Sequence, residues 1–174
     1  MRLAGAGLEA NVPAGWDARI YSRPLAVPDV LPRPEASPFR RRVQASGGTA
    51  SLHAASFALP VNDGDFGTGA TSSMPAAGAF VAVLEYEAGG GLRPGAGLFA
   101  ARGAPTPLER RDFDPRALLR ARPGQLGAQR FFTAGGRPFC LYAVLGSEAA
   151  SAAPLDQLNG LLGSLRFDPA LAIG

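Results

Sequence analysis

Apolar and polar residues alternate along the first part of the chain. Every second residue of 8–12 is apolar, the same holds for 16–20, and Pro13-Ala14-Gly15 separates the two stretches. Period-two alternation on both sides of a Pro/Gly turn is typical of two antiparallel strands. We therefore predict an N-terminal β-hairpin over residues 8–21.

Further along, short apolar runs bounded by glycine and proline predict more strands. Predicted strands cover residues 49–59, 79–87 and 97–101, the last as an antiparallel partner of 79–87. Residues 129–133 and 138–145 flank the turn Ala134-Gly135-Gly136 and predict a second hairpin.

Two segments show helical signals. Asp114-Pro115 offers a capping carboxylate followed by proline at the first helical position, which predicts a mid-chain helix over 116–122 that stops at Pro123-Gly124. Leucines at 155, 158, 161, 162 and 165 lie on one face of a predicted C-terminal helix over 154–165. Residues 70–74 add a single helical turn.

These elements predict one α+β domain over residues 1–174. Its mostly antiparallel sheet has about six strands, and the mid-chain helix and the C-terminal amphipathic helix pack on it. Residues 22–48 hold five prolines without a sustained period, so we expect a long surface loop there.

Composition removes several kinds of chemistry. All 17 basic residues are arginine, so no lysine can form a Schiff base or a phosphate-binding loop. One histidine and one cysteine exclude a multi-histidine metal site, a cysteine cluster and an intrachain disulfide. We expect no metal and no cofactor, and a formal charge of +3 gives no reason to expect nucleic acid.

The chain has no apolar run that approaches 18 residues, and its first residues are too polar for the core of a signal peptide. These features predict a cytoplasmic protein without a membrane span.

His53 and Cys140 form the only thiol–imidazole pair available for nucleophilic catalysis. Both lie within apolar strand patterns, which favours two buried core residues over a catalytic dyad. Glu85 and Glu87 share one side of a predicted strand, as residues on a solvent-facing side do. We therefore assign no catalytic residue.

The segment 62–69 is a polar loop in which Asp63 and Asp65 are spaced like the first ligands of a calcium loop. The calcium pattern then fails, because Gly67 and Met74 stand where oxygen ligands are required. Turn formation by Asx and Gly explains the same residues. Asp63, Asp65, Phe66 and Thr68 remain candidates for binding a small molecule.

Arg40, Arg41 and Arg42 form the densest basic run and follow Phe39 in the proline-rich loop. Arginine clusters suit recognition of carboxylates and phosphates, but solvation of an exposed loop is the favoured explanation of this run. We include Phe39 and the three arginines as candidate contacts with a protein partner.

Three features resemble the PsbP/Mog1-like α/β sandwiches. These are the Val-Pro-x-Gly-Trp turn at residues 12–16, a central antiparallel meander, and a closing helix that runs into Ser-Leu-Arg-Phe at residues 164–167. The stretches over residues 65–70 and 136–142 also look like those of single-domain proteins from GC-rich actinobacteria. The resemblance implies an assembly factor, adaptor or partner-binding subunit, and it carries over no catalytic residue.

We accordingly predict a non-enzymatic protein-binding domain, an adaptor or accessory subunit of a larger assembly. Its expected partner is another protein or further copies of the same chain. The alternative is a small-molecule-binding protein or enzyme with a pocket near residues 62–69.

Overall fold

The computed structural model describes residues 1–24, 48–89 and 91–169. These residues form two antiparallel sheets with eight strands and two α-helices, which confirms the predicted α+β class. The strands are β1 Arg2–Gly5, β2 Leu8–Asn11, β3 Asp17–Pro24, β4 Gly48–Ala55, β5 Ala79–Glu85, β6 Leu126–Ala134, β7 Arg137–Leu145 and β8 Arg166–Phe167. The helices are α1 Thr68–Ser72 and α2 Ala152–Gly163.

The larger sheet has the strand order β3-β4-β5-β7-β6, and the smaller has the order β1-β2-β8. Strands β5 and β7 are almost continuously apolar and buried, as inner strands covered on both faces should be. The hairpin of β6 and β7 forms as predicted. Its two-residue turn needs positive φ, and Gly135 and Gly136 supply φ values of 58° and 73°.

Each face of the larger sheet carries its own apolar core. On the first face, α2 and the smaller sheet bury Leu158, Leu161 and Leu162 against inward residues of β4, β5 and β7. Trp16 joins this core, and its indole nitrogen donates a hydrogen bond to Gln157 of α2 at 2.9 Å. On the second face, residues 57–74, including α1, cover Phe80 and Tyr142.

The predicted pairing of the N-terminal strands is wrong. Strands do form on both sides of the Pro13-Ala14-Gly15 turn, but β2 pairs with β1 and β8, whereas β3 pairs with β4 in the other sheet. Alternation of apolar and polar residues predicts a strand and the side of that strand that is buried, but it does not predict which strand pairs with it. The chain therefore crosses from one sheet to the other at Trp16.

The predicted helix over 116–122 is also wrong. Only a single 3-10 turn forms at Pro115–Ala117, and the backbone is extended again at Leu118. The next amide, that of Leu119, donates to the Tyr142 hydroxyl at 3.1 Å instead of to a helical carbonyl. The Asp114 cap does act as predicted, because its carboxylate accepts from the Arg116 amide at 2.7 Å.

The predicted strand over 97–101 is replaced by the 3-10 turn Gly97–Phe99. Strand β5 already has β4 and β7 as neighbours, so it has no free edge for a third partner. The C-terminal helix and the helical turn near residue 70 are confirmed as α2 and α1.

Candidate functional site

The single histidine is fully buried in β4 and makes polar contacts through both ring nitrogens. Nδ1 of His53 lies 2.8 Å from Oδ2 of Asp63, and Nε2 lies 2.8 Å from the backbone oxygen of Asp65. The Phe80 ring packs against the imidazole edge-on, with the ring centroids 5.5 Å apart. The sequence prediction of a buried histidine is confirmed, but this histidine also holds a loop.

That loop reaches the sheet because of a glycine. Gly67 has φ 69°, a left-handed conformation that suits glycine, and its amide donates to the Gly64 carbonyl at 3.0 Å. A Cβ on Gly67 would overlap the Phe80 ring. The bare backbone at this position therefore lets residues 62–68 lie directly on the second face of the sheet.

Strand β3 adds Arg19 and Tyr21 to this site. We call the whole group the His53 cluster: Arg19, Tyr21, His53, Asp63 and Asp65. Nε of Arg19 lies 3.8 Å from Oδ2 of Asp63, and the Tyr21 hydroxyl lies 3.4 Å from Nε2 of His53. Burial raises the pKa of Tyr21, and the negative charges of Asp63 and Asp65 raise it further. The phenol therefore remains neutral well above physiological pH.

A surface cavity of about 500 Å³ opens beside this cluster. We call it the Asp65 cavity. Its walls come from the end of β3, the start of β4, the 62–68 loop and the end of β5: Arg23, Pro24, Thr49, Asp65, Phe66, Glu85, Tyr86 and Glu87. The cavity thus lies where the pairing of Pro24 with Gly48 brings the two ends of the proline-rich segment together.

The carboxylates of the cavity differ in their partners. Glu85 forms a bidentate ion pair with Arg137, at 2.8 and 2.6 Å, and also accepts from the Ala50 amide at 2.8 Å. Within residues 1–24, 48–89 and 91–169, neither Asp65 nor Glu87 has an ion-pair partner, and both are exposed. Arg23 directs one guanidinium nitrogen to the Glu85 carbonyl. The wall therefore presents an excess of negative charge.

Aromatic rings complete the cavity. Tyr86 packs against Phe99 and Phe131, with ring centroids 5.6 and 6.2 Å away, and Phe66 packs edge-on against Tyr142. Burial raises the pKa of Tyr86 and is the largest influence on it. The rings are thus held by their neighbours, and each leaves part of its surface exposed to the cavity.

Cys140 and His53 do not meet. They lie on the same face of the sheet, but β5 runs between their strands, which places their backbones about 10 Å or more apart at the usual strand spacing. Burial raises the pKa of the Cys140 thiol to about 11, and a hydrogen bond from Gln129 opposes this only in part. Such a thiol supplies little thiolate for nucleophilic attack.

The structure brings together some of the predicted site residues and separates others. Asp65 and Phe66 line the cavity, whereas Asp63 turns inward to His53 and Thr68 begins α1. Phe39, Arg40, Arg41 and Arg42 lie outside the described residues. Among the residues that the structure describes, no group of three or more His, Cys, Asp or Glu side chains is arranged to hold a metal ion.

Sequence reasoning missed Arg19, Tyr21, Arg23 and Tyr86 as members of these sites. The signal was present in the alternation of β3, which places Arg19 beside His53 and Tyr21 beside Ser51 once β3 is paired with β4. The predicted hairpin paired β3 with β2 instead, so these neighbours were not brought together.

Comparisons of the chain with models of protein families, with curated proteins and with solved structures found no match. The resemblance to PsbP/Mog1-like sandwiches therefore stays a prediction. Over the described part of the chain, no helix has the length and apolar character needed to span a membrane.

Proposed function

We propose that this chain is a non-enzymatic binding domain, and that the Asp65 cavity receives a cationic segment of a protein partner. One observation carries the proposal: the exposed carboxylates of Asp65 and Glu87 and the ring of Tyr86 line one concave site. Carboxylates and an aromatic face together favour arginine or lysine side chains, through ion pairing and cation–π contact. The candidate contacts in residues 25–47 are not needed for this proposal.

The charge of the cavity contrasts with the charge of the chain. The chain has a formal net charge of +3, so its overall field repels cationic ligands weakly. Attraction of a basic segment must then come from a local group of carboxylates, and the cavity holds one. Because Arg137 already neutralises Glu85, we assign the attraction to Asp65 and Glu87.

The reactive residues of the chain support binding over catalysis. His53 is fully buried and committed to Asp63 and Asp65, and Cys140 is buried in β7. Neither lines the cavity. The side chains that do line it offer charge, hydrogen bonds and aromatic surface, which suit recognition.

A small cationic molecule is the second candidate ligand. The cavity volume of about 500 Å³ lies within the range of ordinary small-molecule sites. Recognition would use the same carboxylates and the same ring. The two candidate ligands, a cationic protein segment and a small cationic molecule, differ in size. Comparing the binding of a peptide with that of a single cationic group therefore distinguishes them.

The test is calorimetric titration of the chain with an acetylated, amidated tetra-arginine peptide and, separately, with ethylguanidinium. We expect the peptide to bind, and we expect Asp65→Asn and Glu87→Gln each to weaken binding about fivefold, equivalent to about 1 kcal/mol. Glu109→Gln removes an exposed carboxylate that does not line the cavity and serves as the control. Equal affinity in the wild type and both cavity variants would contradict the proposal, and tighter binding of ethylguanidinium than of the peptide would favour the small ligand.

The expectations of an adaptor role, of self-association and of a cytoplasmic location stay predictions. Self-association is checked by light scattering of the purified chain. A monomer that binds the basic peptide would favour a separate protein partner.

A further inference from the structure

The hydrogen bonds of His53 fix how many protons this buried residue shares with Asp63. The backbone oxygen of Asp65 can only accept, so Nε2 at 2.8 Å from it must carry a hydrogen. The 2.8 Å separation of Nδ1 from Oδ2 of Asp63 needs a second hydrogen between those two atoms. The pair therefore holds two protons, as an imidazolium with a carboxylate or as a neutral ring with a carboxylic acid.

Removing one of these protons breaks one of the two contacts of the ring. A neutral imidazole beside an ionised Asp63 has one N–H. If Nε2 carries it, the lone pair of Nδ1 faces Oδ2 of Asp63; if Nδ1 carries it, the lone pair of Nε2 faces the Asp65 oxygen. Two acceptors that face each other at hydrogen-bond distance repel, which weakens the contact between them. The remaining hydrogen stays between Nδ1 and the ionised Asp63, because a carboxylate is a stronger acceptor than a backbone carbonyl. The contact that is lost is therefore the one to Asp65, which reaches the cavity wall.

The other groups around the ring do not replace the lost proton. Strand β3 contributes the Arg19 guanidinium, which lies beside Asp63, and the neutral Tyr21 hydroxyl at 3.4 Å from Nε2. This hydroxyl can donate to an unprotonated Nε2, but it supplies no hydrogen to the Asp65 oxygen. From β5, the ring meets the Phe80 side chain and lies opposite Ala82, and neither of these side chains is charged. The charged groups of the loop are Asp63 itself and Asp65, whose carboxylate is exposed at the surface.

We infer that His53 is a positioning residue for the Asp65 cavity, and that its second proton holds Asp65 and Phe66 in the cavity wall. The inference rests on the proposed function for its effect on ligand binding. The path is short: the ring holds the Asp65 backbone, and Asp65 and Phe66 line the cavity. Deprotonation frees this segment from the sheet without changing any residue that touches the ligand.

The inference predicts an unusual direction of pH dependence. Charge alone predicts that a cationic ligand binds equally well or better as pH rises, because carboxylates and phenols gain negative charge. Loss of the His53 proton predicts the opposite, a fall in affinity of about tenfold when that proton is lost, and affinities measured from about pH 5 to about pH 9 test this. The sign of the change therefore separates positioning from simple electrostatics.

Because the chain has a single histidine, ¹⁵N-labelled histidine gives one pair of ring signals. The experiment follows these signals and the backbone amides of Asp65 and Phe66 in the full wild-type chain over that pH range. We expect both ring nitrogens to be protonated or proton-sharing while the two amides keep their native shifts, and the amides to move when the second proton is lost. A ring with one free, unprotonated nitrogen while both amides stay native would overturn the inference.

Asp63→Asn provides the matched variant. An asparagine amide can donate to Nδ1 of a neutral ring, so Nε2–H keeps its bond to Asp65 without a second proton. We expect this variant to retain the native amide shifts and to lose their pH dependence, and tetra-arginine binding to become flat between the same limits. Unchanged pH dependence of the amides in Asp63→Asn would count against the inference.

Failure of the proposed function gives a different result. If the amide shifts follow the ring protons but tetra-arginine binds at no pH, the positioning role of His53 stands and the cationic ligand is wrong. If the peptide binds and its affinity does not fall as the ring loses its proton, the ligand stands and the positioning role is wrong.

Discussion

Gly67 shows how one residue determines whether the candidate site exists. Its positive φ turns the chain back toward the sheet, and its missing side chain leaves room for the Phe80 ring. His53 then reaches Asp63 and Asp65 from the same sheet face. The loop over residues 62–68 is therefore shaped by a contact with β5 as much as by its own turn residues.

Gly67→Ala is expected to destabilise the fold strongly. The left-handed backbone costs an alanine about 1–2 kcal/mol, and displacement of Phe80 adds about 1–3 kcal/mol. Gly15→Ala is the matched control, because Gly15 has φ 78° and a Cβ there would meet no neighbour within 4 Å, so this variant should show the backbone cost alone. Urea unfolding of both variants measures the difference in unfolding free energy. Equal losses would mean that the Phe80 ring is displaced at no energetic cost.

At the scale of elements, the sequence patterns predicted strands and the closing helix far better than their partners. The leucine spacing of α2 and the apolar runs of β5 and β7 depend on local periodicity and burial, which a sequence displays directly. Pairing of β3 with β4 depends on a distant segment, and the extended backbone at Leu118 depends on contacts made across the fold. Such long-range choices leave no local signal.

The same limit applies to the candidate site. The polar, glycine-bearing loop was recognisable, and so was the burial of His53. What the sequence could not display was the inward turn of Asp63, or the meeting of the loop with the ends of β3 and β5. Both arise from the packing of distant elements on one sheet face.

Helix α2 contains a removable weakness. Gly160 lies inside the helix on its exposed side, and a Cβ there would meet no other atom within 4 Å. Gly160→Ala should stabilise the chain by about 0.5–1 kcal/mol, because alanine loses less conformational freedom in a helix. Thermal unfolding monitored by circular dichroism tests this, and a lower melting temperature would show that Gly160 has a role its surroundings do not reveal.

At the scale of the whole molecule, one arginine joins the two sheets. Arg137 of β7 pairs with Glu85 of β5, and its guanidinium also donates to the carbonyls of Gly7 and Ala6 in the turn between β1 and β2. Both side chains of the ion pair are mostly buried. The larger sheet, the smaller sheet and one wall of the Asp65 cavity thus share a single charged contact.

Arg137→Ala should therefore cost about 3–5 kcal/mol of unfolding free energy, since it leaves a buried carboxylate unpaired and leaves two carbonyls without this donor. The double variant Arg137→Met with Glu85→Met should lose less, because no uncompensated charge remains. Arg111→Ala breaks an exposed ion pair with Glu109 and should cost less than about 1 kcal/mol. Guanidinium denaturation compares the three, and similar costs for Arg137→Ala and Arg111→Ala would contradict this interpretation of the pair.

The position of Trp16 gives the molecule an optical reporter. It is the single tryptophan of the chain, it lies at the crossing between the two sheets, and its indole is hydrogen-bonded to Gln157 of α2. Its emission maximum and its quenching thus depend on whether α2 is packed against the strands. Fluorescence of the unlabelled chain can therefore follow docking of that helix separately from movements of the 62–68 loop, which lies on the other face of the larger sheet.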